Sequence, residues 1–194
     1  MERPDFVHLH LHSEYSLSDG IIRISELVSR ASSLQYSAVG LTDLTNRFGL
    51  LEFYRSSREK GIKPIVGAEV NVIKDKDSLP APIVLLVKDK KGYKNLTEIV
   101  SKAYIDGQVN GEPTVELSLL KDLSVGLIAL SGGMEGHVGQ SILAGNIPLA
   151  ESRIKFFQQI FGEDFFIEVH RLGKTNEEEY RSEEHTSELQ SPLD

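Results

Sequence analysis

The fold is decided by the stretch Phe6-Val7-His8-Leu9-His10-Leu11-His12-Ser13, in which three histidines alternate with apolar residues. In an extended strand, successive side chains point to opposite faces, so the histidines are expected to project together and the apolar residues to face a core. Aligned imidazoles followed by Asp19 favour a metal site, because imidazole suits zinc, manganese or iron and a carboxylate adds a hard oxygen ligand. The alternative is that one or two of them are hydrogen-bonded polar groups ending a buried strand.

Composition restricts the class of protein. A chain of 194 residues with 40% hydrophobic and 26% charged residues is long enough for one domain with a sizeable core. Cysteine is absent, which excludes disulfides and thiolate zinc sites and is compatible with a reducing cytosol. No apolar run approaches the roughly 20 residues of a membrane helix, and the start MERPDFVHLH lacks a signal-peptide pattern. We therefore expect a cytoplasmic protein with no membrane partner.

Charge argues against a domain-wide grip on nucleic acid. The formal net charge is −8, whereas neutralising phosphates requires clustered Lys and Arg. The one basic cluster, Lys88–Lys94, is more typical of a solvated loop that opens a helix than of a phosphate-binding patch. Any contact with DNA is expected to be local or to involve other sequence.

The last residues form a separate segment. Arg181–Ser191 matches the translation of a common short-read sequencing adapter, and its small polar and acidic residues show no apolar periodicity. We expect the domain to span residues 1–180 and residues 181–194 to be a non-native, disordered tail. His185 is therefore excluded from the candidate site.

Short β-branched runs alternate with amphipathic stretches, which is typical of βα units around a parallel sheet or barrel. The predicted helices are Ile24–Leu34, Phe48–Lys60, Tyr93–Tyr104, Leu117–Leu123 and Ala150–Phe161. The predicted strands are Ser37–Thr42, Ile62–Ile73 with an interruption at Gly67, Ile83–Val87, Val125–Leu130 and Phe165–His170, and Gly107–Pro113 is a predicted loop. Polar groups expected at the carboxyl ends of strands, where such folds place their chemistry, are His10, His12, Asp43, Glu69, Ser131 and His170.

A family resemblance is carried by five ordered blocks, FVHLHLHSEYSLSDG, VGLTDLTNRFGLLEFY, GIKPIVGAEVNV, KGYKNLTEIVSKAY and GLIALSGGMEGHVGQSIL. In order and spacing they resemble the polymerase-and-histidinol-phosphatase (PHP) domain at the N-terminus of bacterial replicative DNA polymerase III alpha subunits. The resemblance covers residues 5–180. It implies an α/β fold, a PHP-type distorted (βα)7 barrel that is incomplete at its C-terminal end. Active members hold up to three divalent metals, which activate water to attack a phosphoester.

The resemblance also implies a ligand set. His10, His12 and Asp19 match the first motif, and Glu69 matches the bridging carboxylate of the Gly-Ala-Glu block. His8 lies beside the ligand pair and is expected to have a supporting or structural role. We expect these four residues to hold at most one weakly bound divalent metal, zinc, manganese or magnesium. His137 is expected to have a surface role, and His170 is not expected to be a ligand.

Departures from the family pattern weaken the site. The active Thr-Asp-His-Gly motif is here Thr42-Asp43-Leu44-Thr45, so Leu44 replaces a metal-binding imidazole. Pro82 and Gly133 stand where active members carry a His and often a Cys. The family's downstream Asp-x-His motif would lie beyond Tyr180. Three lost ligands are expected to abolish a trinuclear site, because changes beside the ligands alone cost about 10- to 100-fold in affinity.

Two functions remain open at this stage. In the favoured one, the chain is a fragment of a DNA-directed DNA polymerase, which is a nucleotidyltransferase of DNA replication. The fragment itself would be inactive. It would support folding of the polymerase and dock a 3′–5′ proofreading exonuclease subunit beside other replicase subunits. Contacts with DNA, and the Mg²⁺ of a polymerase palm, would belong to sequence outside this fragment. The alternative is a residual metal-dependent phosphoesterase, either an intrinsic proofreader or a pyrophosphatase. A stand-alone histidinol-phosphate-type phosphatase is disfavoured by the polymerase-like blocks KGYKNLTEIVSKAY and LSGGMEGHVG.

Overall fold

The computed structural model describes residues 6–17, 19–74 and 79–170. Its helices are α1 (Ile24–Ser33), α2 (Leu50–Glu59), α3 (Lys90–Ile105), α4 (Leu117–Leu123), α5 (His137–Leu143) and α6 (Ile147–Phe161). Its strands are β1 (Ala38–Leu41), β2 (Lys63–Ile73), β3 (Ala81–Val87), β4 (Gln108–Val109), β5 (Glu112–Glu116), β6 (Leu127–Leu130) and β7 (Phe165–Phe166). Within these ranges, no helix has both the length and the apolar character needed to cross a membrane.

The strands form one mixed sheet in the order β4-β5-β2-β3-β6-β7, with β1 beside the first half of β2. Strands β1, β5 and β7 pair in parallel with their neighbours β2 and β6, whereas β3 runs antiparallel to both β2 and β6. The parallel sheet or barrel expected from βα alternation is thus found with antiparallel exceptions at β3 and at β4. The exception at β3 has a simple cause. Only residues 74–80 separate β2 from β3, and a parallel crossover needs about a dozen residues or more.

The histidine stretch lies along β1 but forms no regular strand. The Gly40 amide donates to the His8 carbonyl at 2.7 Å, and the Thr42 amide donates to the Leu11 carbonyl at 2.9 Å. The approach is close, because a Cβ at Gly40 would lie 2.6 Å from the Leu9 carbonyl oxygen. Glycine at position 40 is thus required for the segment to lie against β1.

Apolar residues fill both sides of the sheet. A large cluster between the sheet and the helices includes Leu85, Leu96 and Phe157, and a second one, around the fully buried Phe53, joins α1, α2 and β1. The concave side holds a third cluster of Leu9, Ile65, Val84, Leu86, Ile128 and Leu130. A sheet that encloses apolar side chains on one side and is covered by helices on the other has the architecture of a barrel. In the described residues the sheet does not close, which confirms the incomplete barrel.

Three local expectations are corrected. Gly67 does not interrupt β2; it is the point where pairing with β1 gives way to pairing with β3. The predicted loop Gly107–Pro113 is a β4–β5 hairpin, because Asn110 and Gly111 both adopt the positive φ that a two-residue hairpin turn requires. The last strand stops at Phe166 rather than His170.

Other expectations are confirmed. The basic cluster does open a helix, since the Asp89 carboxylate caps α3 by accepting from the Gly92 amide. Lys88 pairs with Asp164 at 2.7 Å. The predicted domain boundary at 180, the tail at 181–194 and the downstream Asp-x-His motif lie outside the described residues.

Candidate metal centre

His10 lies between two carboxylates that come from distant parts of the chain. Its Nε2 is 2.7 Å from Glu69 Oε2, in the middle of β2, and its Nδ1 is 2.8 Å from Glu168 Oε1, two residues beyond β7. All three side chains are largely buried, with exposed fractions of 15%, 12% and 9%. The pair His10–Glu168 links the histidine segment beside β1 to the chain that follows β7.

His12 supplies a second imidazole on the same side. Its ring centroid is 5.3 Å from that of His10, and its Nε2 lies 3.7 Å from Glu69 Oε2. This Nε2 is buried and has no hydrogen-bond partner among the residues that the structure describes. His10, His12 and Glu69 each offer one ligand atom, and these three atoms lie within 4.8 Å of one another. An orphaned imidazole nitrogen beside a second imidazole and a carboxylate fits a divalent metal, which would satisfy it.

Electrostatics couple these groups. Burial acts to lower the pKa of His10, but the hydrogen bonds and charges of Glu168 and Glu69 outweigh it and raise this pKa to about 9. Burial acts to raise the pKa of Glu69, yet His10 and His12 lower it to about 2. Glu168 follows the same pattern, since His10 and His170 outweigh burial and lower its pKa to about 2. Without metal, the centre is therefore an imidazolium held between two carboxylates.

Glu168 was not among the residues expected from sequence. Its Oε1 lies 2.8 Å from both His10 Nδ1 and His170 Nε2. The spacing Glu168-Val169-His170 could have identified it, because alternate residues of an extended segment share a face just as His10 and His12 do. His170 is not expected from sequence to be a ligand, and the structure places its ring 5.4 Å from that of His10.

Asp43 stabilises the turn that follows His12. Its buried carboxylate accepts hydrogen bonds from the Ser13 amide (2.6 Å), the Ser13 hydroxyl (2.8 Å) and the Ser16 hydroxyl (2.7 Å). These bonds tie the turn after His12 to the end of β1. Asp43 therefore stabilises the backbone that carries the histidines rather than facing the cluster.

Leu44 lies next to Glu69 in the structure. It forms an isolated parallel bridge with Glu69, and its amide donates to Ser16 Oγ at 3.0 Å. The leucine side chain has no lone pair, so it offers no ligand atom beside Glu69. Asp19 lies on the rim, 66% exposed and 4.0 Å from His12 Nδ1. Its role as a metal ligand stays a prediction.

His8 does not share the cluster. Its ring packs against Phe6 and Tyr36, with centroid distances of 4.8 Å and 5.5 Å. The expectation that three histidines share one face is therefore wrong for His8, because the segment's bonding to β1 departs from the regular strand pattern between His8 and Leu11. A structural role for His8 agrees with these contacts.

The structure describes the surroundings of two residues that depart from the family pattern, Pro82 and Gly133. Pro82 lies in β3 opposite Asn71 and belongs to neither His/Glu group. Gly133 has a φ of +60°, and a Cβ there would lie 3.0 Å from the His170 ring. The His170 imidazole thus lies where a side chain at position 133 would begin.

His137 is neither a ligand nor a surface group. It is half-buried at the start of α5, where its Nε2 donates to the Val72 carbonyl at 3.0 Å and its ring stacks on Phe157. Burial lowers the pKa of His137, helped by the charge of Arg153 and opposed by the hydrogen bond to Val72. The alternative that it compensates for lost ligands is not supported by these contacts.

A prediction follows for the pH dependence of stability. Because the folded-state pKa of His137 lies below its ordinary value of 6.5, its neutral form stabilises the fold fully above pH 6.5, and this contribution falls as the pH decreases through the lowered pKa. Urea unfolding at pH 7.5 and at pH 5 should show a larger loss for the wild type than for His137→Gln. An equal loss in both proteins would contradict the assignment.

The ligand set indicates what the centre can do. His10, His12 and Glu69 would hold one divalent metal, and Glu168 and His170 lie next to it. Such a metal supplies Lewis acidity toward a phosphoryl oxygen and lowers the pKa of a bound water. The chain's own residues provide largely buried imidazole and carboxylate groups, which are suitable ligands for a divalent cation.

The chain is similar to proteins of known name. It is 40% identical to DNA polymerase III subunit alpha of Vibrio cholerae and 42% identical to that of Escherichia coli K12, each over 182 residues and 93% of the chain. The chain spans about one sixth of the length of these relatives, 16% in both cases. A solved structure from Bifidobacterium adolescentis, named for metal-dependent phosphoesterase activity, aligns with a TM-score of 0.55 at 14% identity. That alignment covers 96% of this chain and 86% of the other, and it supports the fold alone.

The family follows from the match over nearly the whole described chain. The PHP domain model matches residues 8–172, which include both histidines of the first motif, Glu69, Glu168 and His170. The chain therefore belongs to the PHP domain family, and it is homologous to the PHP domain of DNA polymerase III alpha subunits from several bacteria.

Proposed function

We propose that this chain is the PHP portion of a replicative DNA polymerase III alpha subunit, and that it serves as a scaffold and exonuclease-docking module rather than as a catalyst. The observation that carries the proposal is Leu44, which bridges to Glu69 where a catalytic PHP site needs another imidazole. The 37–42% identity to alpha subunits supports the assignment to a replicase. Polymerisation, with its Mg²⁺, and the contacts with DNA would reside in the rest of a longer, cytoplasmic protein.

The proposed metal content is one weakly bound ion. Two imidazoles and one carboxylate favour zinc or manganese over magnesium, which prefers oxygen ligands in octahedral geometry. Three protein ligands would leave one position of a tetrahedral ion open. Because of the ligand losses at Leu44, Pro82 and Gly133, we assign this ion a structural role. The ion would hold the histidine segment, β2 and the chain beyond β7 together.

Docking can be tested on exposed apolar residues in two segments of the chain. Leu17 and Ile21, which are 88% and 94% exposed, follow the histidine segment. Phe48 precedes α2 and is 73% exposed, and Leu51 lies in the first turn of α2 and is 60% exposed. An alpha subunit carrying this domain, with its natural continuation, should bind the proofreading exonuclease of its own replicase in calorimetry. Phe48→Ser combined with Leu51→Ser is expected to weaken binding at least tenfold. Leu79→Ser, at a similarly exposed position elsewhere, is the matched control.

Two results would distinguish the docking role itself from the choice of docking surface. No binding by the wild-type subunit would overturn the docking role. Binding that is unchanged in the double variant would retain docking and reject this surface.

A second candidate function is residual phosphoester hydrolysis, favoured by the intact group His10, His12 and Glu69. The chain would then act on a DNA 3′ end or on pyrophosphate. Hydrolysis of bis-p-nitrophenyl phosphate by the wild-type chain with Mn²⁺, abolished in His12→Gln, would support this candidate over the scaffold.

Restoring one ligand is expected not to restore catalysis. In a parallel bridge the two side chains lie on the same side, so a histidine in Leu44→His would lie beside Glu69 and strengthen metal binding. Pro82 and Gly133 would still leave the cluster incomplete. We expect tighter Zn²⁺ binding by Leu44→His without hydrolysis of a model phosphodiester. Robust metal-dependent hydrolysis by this single variant would contradict the prediction.

A further inference from the structure

The two groups of candidate ligands share one residue, His10. The first group joins it to His12 and Glu69, and the second joins it to Glu168 and His170. A neutral imidazole has one acceptor nitrogen and one N–H donor. His10 can therefore ligate a metal on one side only, and its other nitrogen must donate a hydrogen bond.

Geometry decides which side takes the metal. On the Glu69 side, His12 Nε2 is buried without a hydrogen-bond partner in the described part of the chain. On the Glu168 side, one oxygen already lies 2.8 Å from two imidazole nitrogens, His10 Nδ1 and His170 Nε2. The first side thus offers an unsatisfied ligand atom, and the second offers a hydrogen-bond acceptor already in use.

From this we infer that Glu168 is a positioning residue for the metal centre: it accepts the Nδ1–H of His10 and so directs Nε2 toward the ion held with His12 and Glu69. Metal-bound histidines commonly donate their other N–H to a carboxylate, which fixes the tautomer and the ring orientation. This inference rests on the proposed metal site and assigns to it a residue outside the ligand set.

The carboxylate is itself held in place. The Glu168 amide donates to Ser131 Oγ at 2.9 Å, and the Ser131 amide donates to the Phe166 carbonyl at 3.0 Å. The segment after β7 is thereby fixed to the end of β6. His170 adds a second N–H to the same carboxylate oxygen, and its ring lies against Gly133, where a larger residue would collide with it.

Titration of the 194-residue chain with Zn²⁺ and with Co²⁺ tests the inference. We expect the wild type to bind one ion. Glu168→Gln should bind about 10- to 100-fold more weakly. It should nevertheless keep the stoichiometry and the Co²⁺ visible spectrum, because the ligands are unchanged. Glu168→Ala should lose more affinity than Glu168→Gln, whose side-chain oxygen can still accept from His10.

Three further variants distinguish the possible roles. Glu163→Gln removes the same charge from an exposed position five residues earlier and should bind like the wild type. His12→Gln should abolish binding, whereas His170→Gln should weaken it by less than Glu168→Ala. Metal-free Glu168→Gln should keep the wild-type circular dichroism spectrum, so that its weaker affinity is not a folding defect.

Defined outcomes would overturn the inference. Unchanged affinity in Glu168→Gln would reject positioning while leaving the metal site intact. A changed Co²⁺ spectrum, or binding that survives His12→Gln but not His170→Gln, would make Glu168 a ligand instead. Absence of any binding by the wild type would reject the proposed metal site and this inference with it.

Discussion

Replacing Asp43 with alanine is expected to lower the free energy of unfolding by about 3 kcal/mol, since it leaves several buried donors without an acceptor. The carboxylate is 1% exposed and accepts from one amide and two hydroxyls, on Ser13 and Ser16. Ser16 also accepts from the Leu44 amide, so the loss would spread to the backbone beside the metal centre. The effect should therefore exceed that of an ordinary surface substitution.

The measurement is urea unfolding of the metal-free chain. Asp43→Asn is the control, because it keeps the shape and one carbonyl oxygen, and we expect it to cost less than half as much as Asp43→Ala. A loss below about 1 kcal/mol for Asp43→Ala would fall in the range of a single ordinary hydrogen bond and would reject the anchoring role.

Replacing Glu69 with alanine is expected to abolish measurable metal binding. Its Oε2 lies close to both imidazoles, at 2.7 Å from His10 Nε2 and 3.7 Å from His12 Nε2. Changes beside metal ligands cost about 10- to 100-fold, and loss of a ligand from a three-residue set should exceed that range. We expect an affinity for Zn²⁺ at least 100-fold weaker than that of the wild type.

Isothermal titration calorimetry with Zn²⁺ measures this loss. Glu112→Gln, an exposed glutamate at the start of β5, controls for the change in net charge and should bind normally. Wild-type affinity in Glu69→Ala would show that the ion, if any, is held elsewhere. Such a result would leave the family assignment untouched, because that assignment rests on the match over residues 8–172.

The element types followed largely from periodicity. The apolar spacing of α1 and the β-branched run of β3 are local features, so the sequence predicts them within a few residues of their bounds. The antiparallel direction of β3 was missed, since strand direction depends on the length of the connection and the position of partners. The β4–β5 hairpin was missed although Asn110-Gly111 is a strong local turn signal.

The candidate site was predicted only in part, because some of its residues lie in local motifs and others come together only in the folded chain. His10, His12 and Glu69 lie in short motifs that the family resemblance identifies, and the structure brings these three together. Asp19 remains on the rim, and His8 packs against Tyr36 instead. Glu168 was missed because its contact with His10 spans 158 residues of sequence.

The sequence by itself determined the family, the helices and most strands, because each depends on residue identity and local spacing. It also predicts the loss of an imidazole at Leu44. Only the tertiary structure decided that His10 lies between Glu69 and Glu168, that Asp43 holds the turn after His12, and that His170 lies against Gly133. The physical reason is that these contacts form when the curved sheet brings the two ends of the described chain together. Their energy depends on burial and distance, which no local pattern of residues contains.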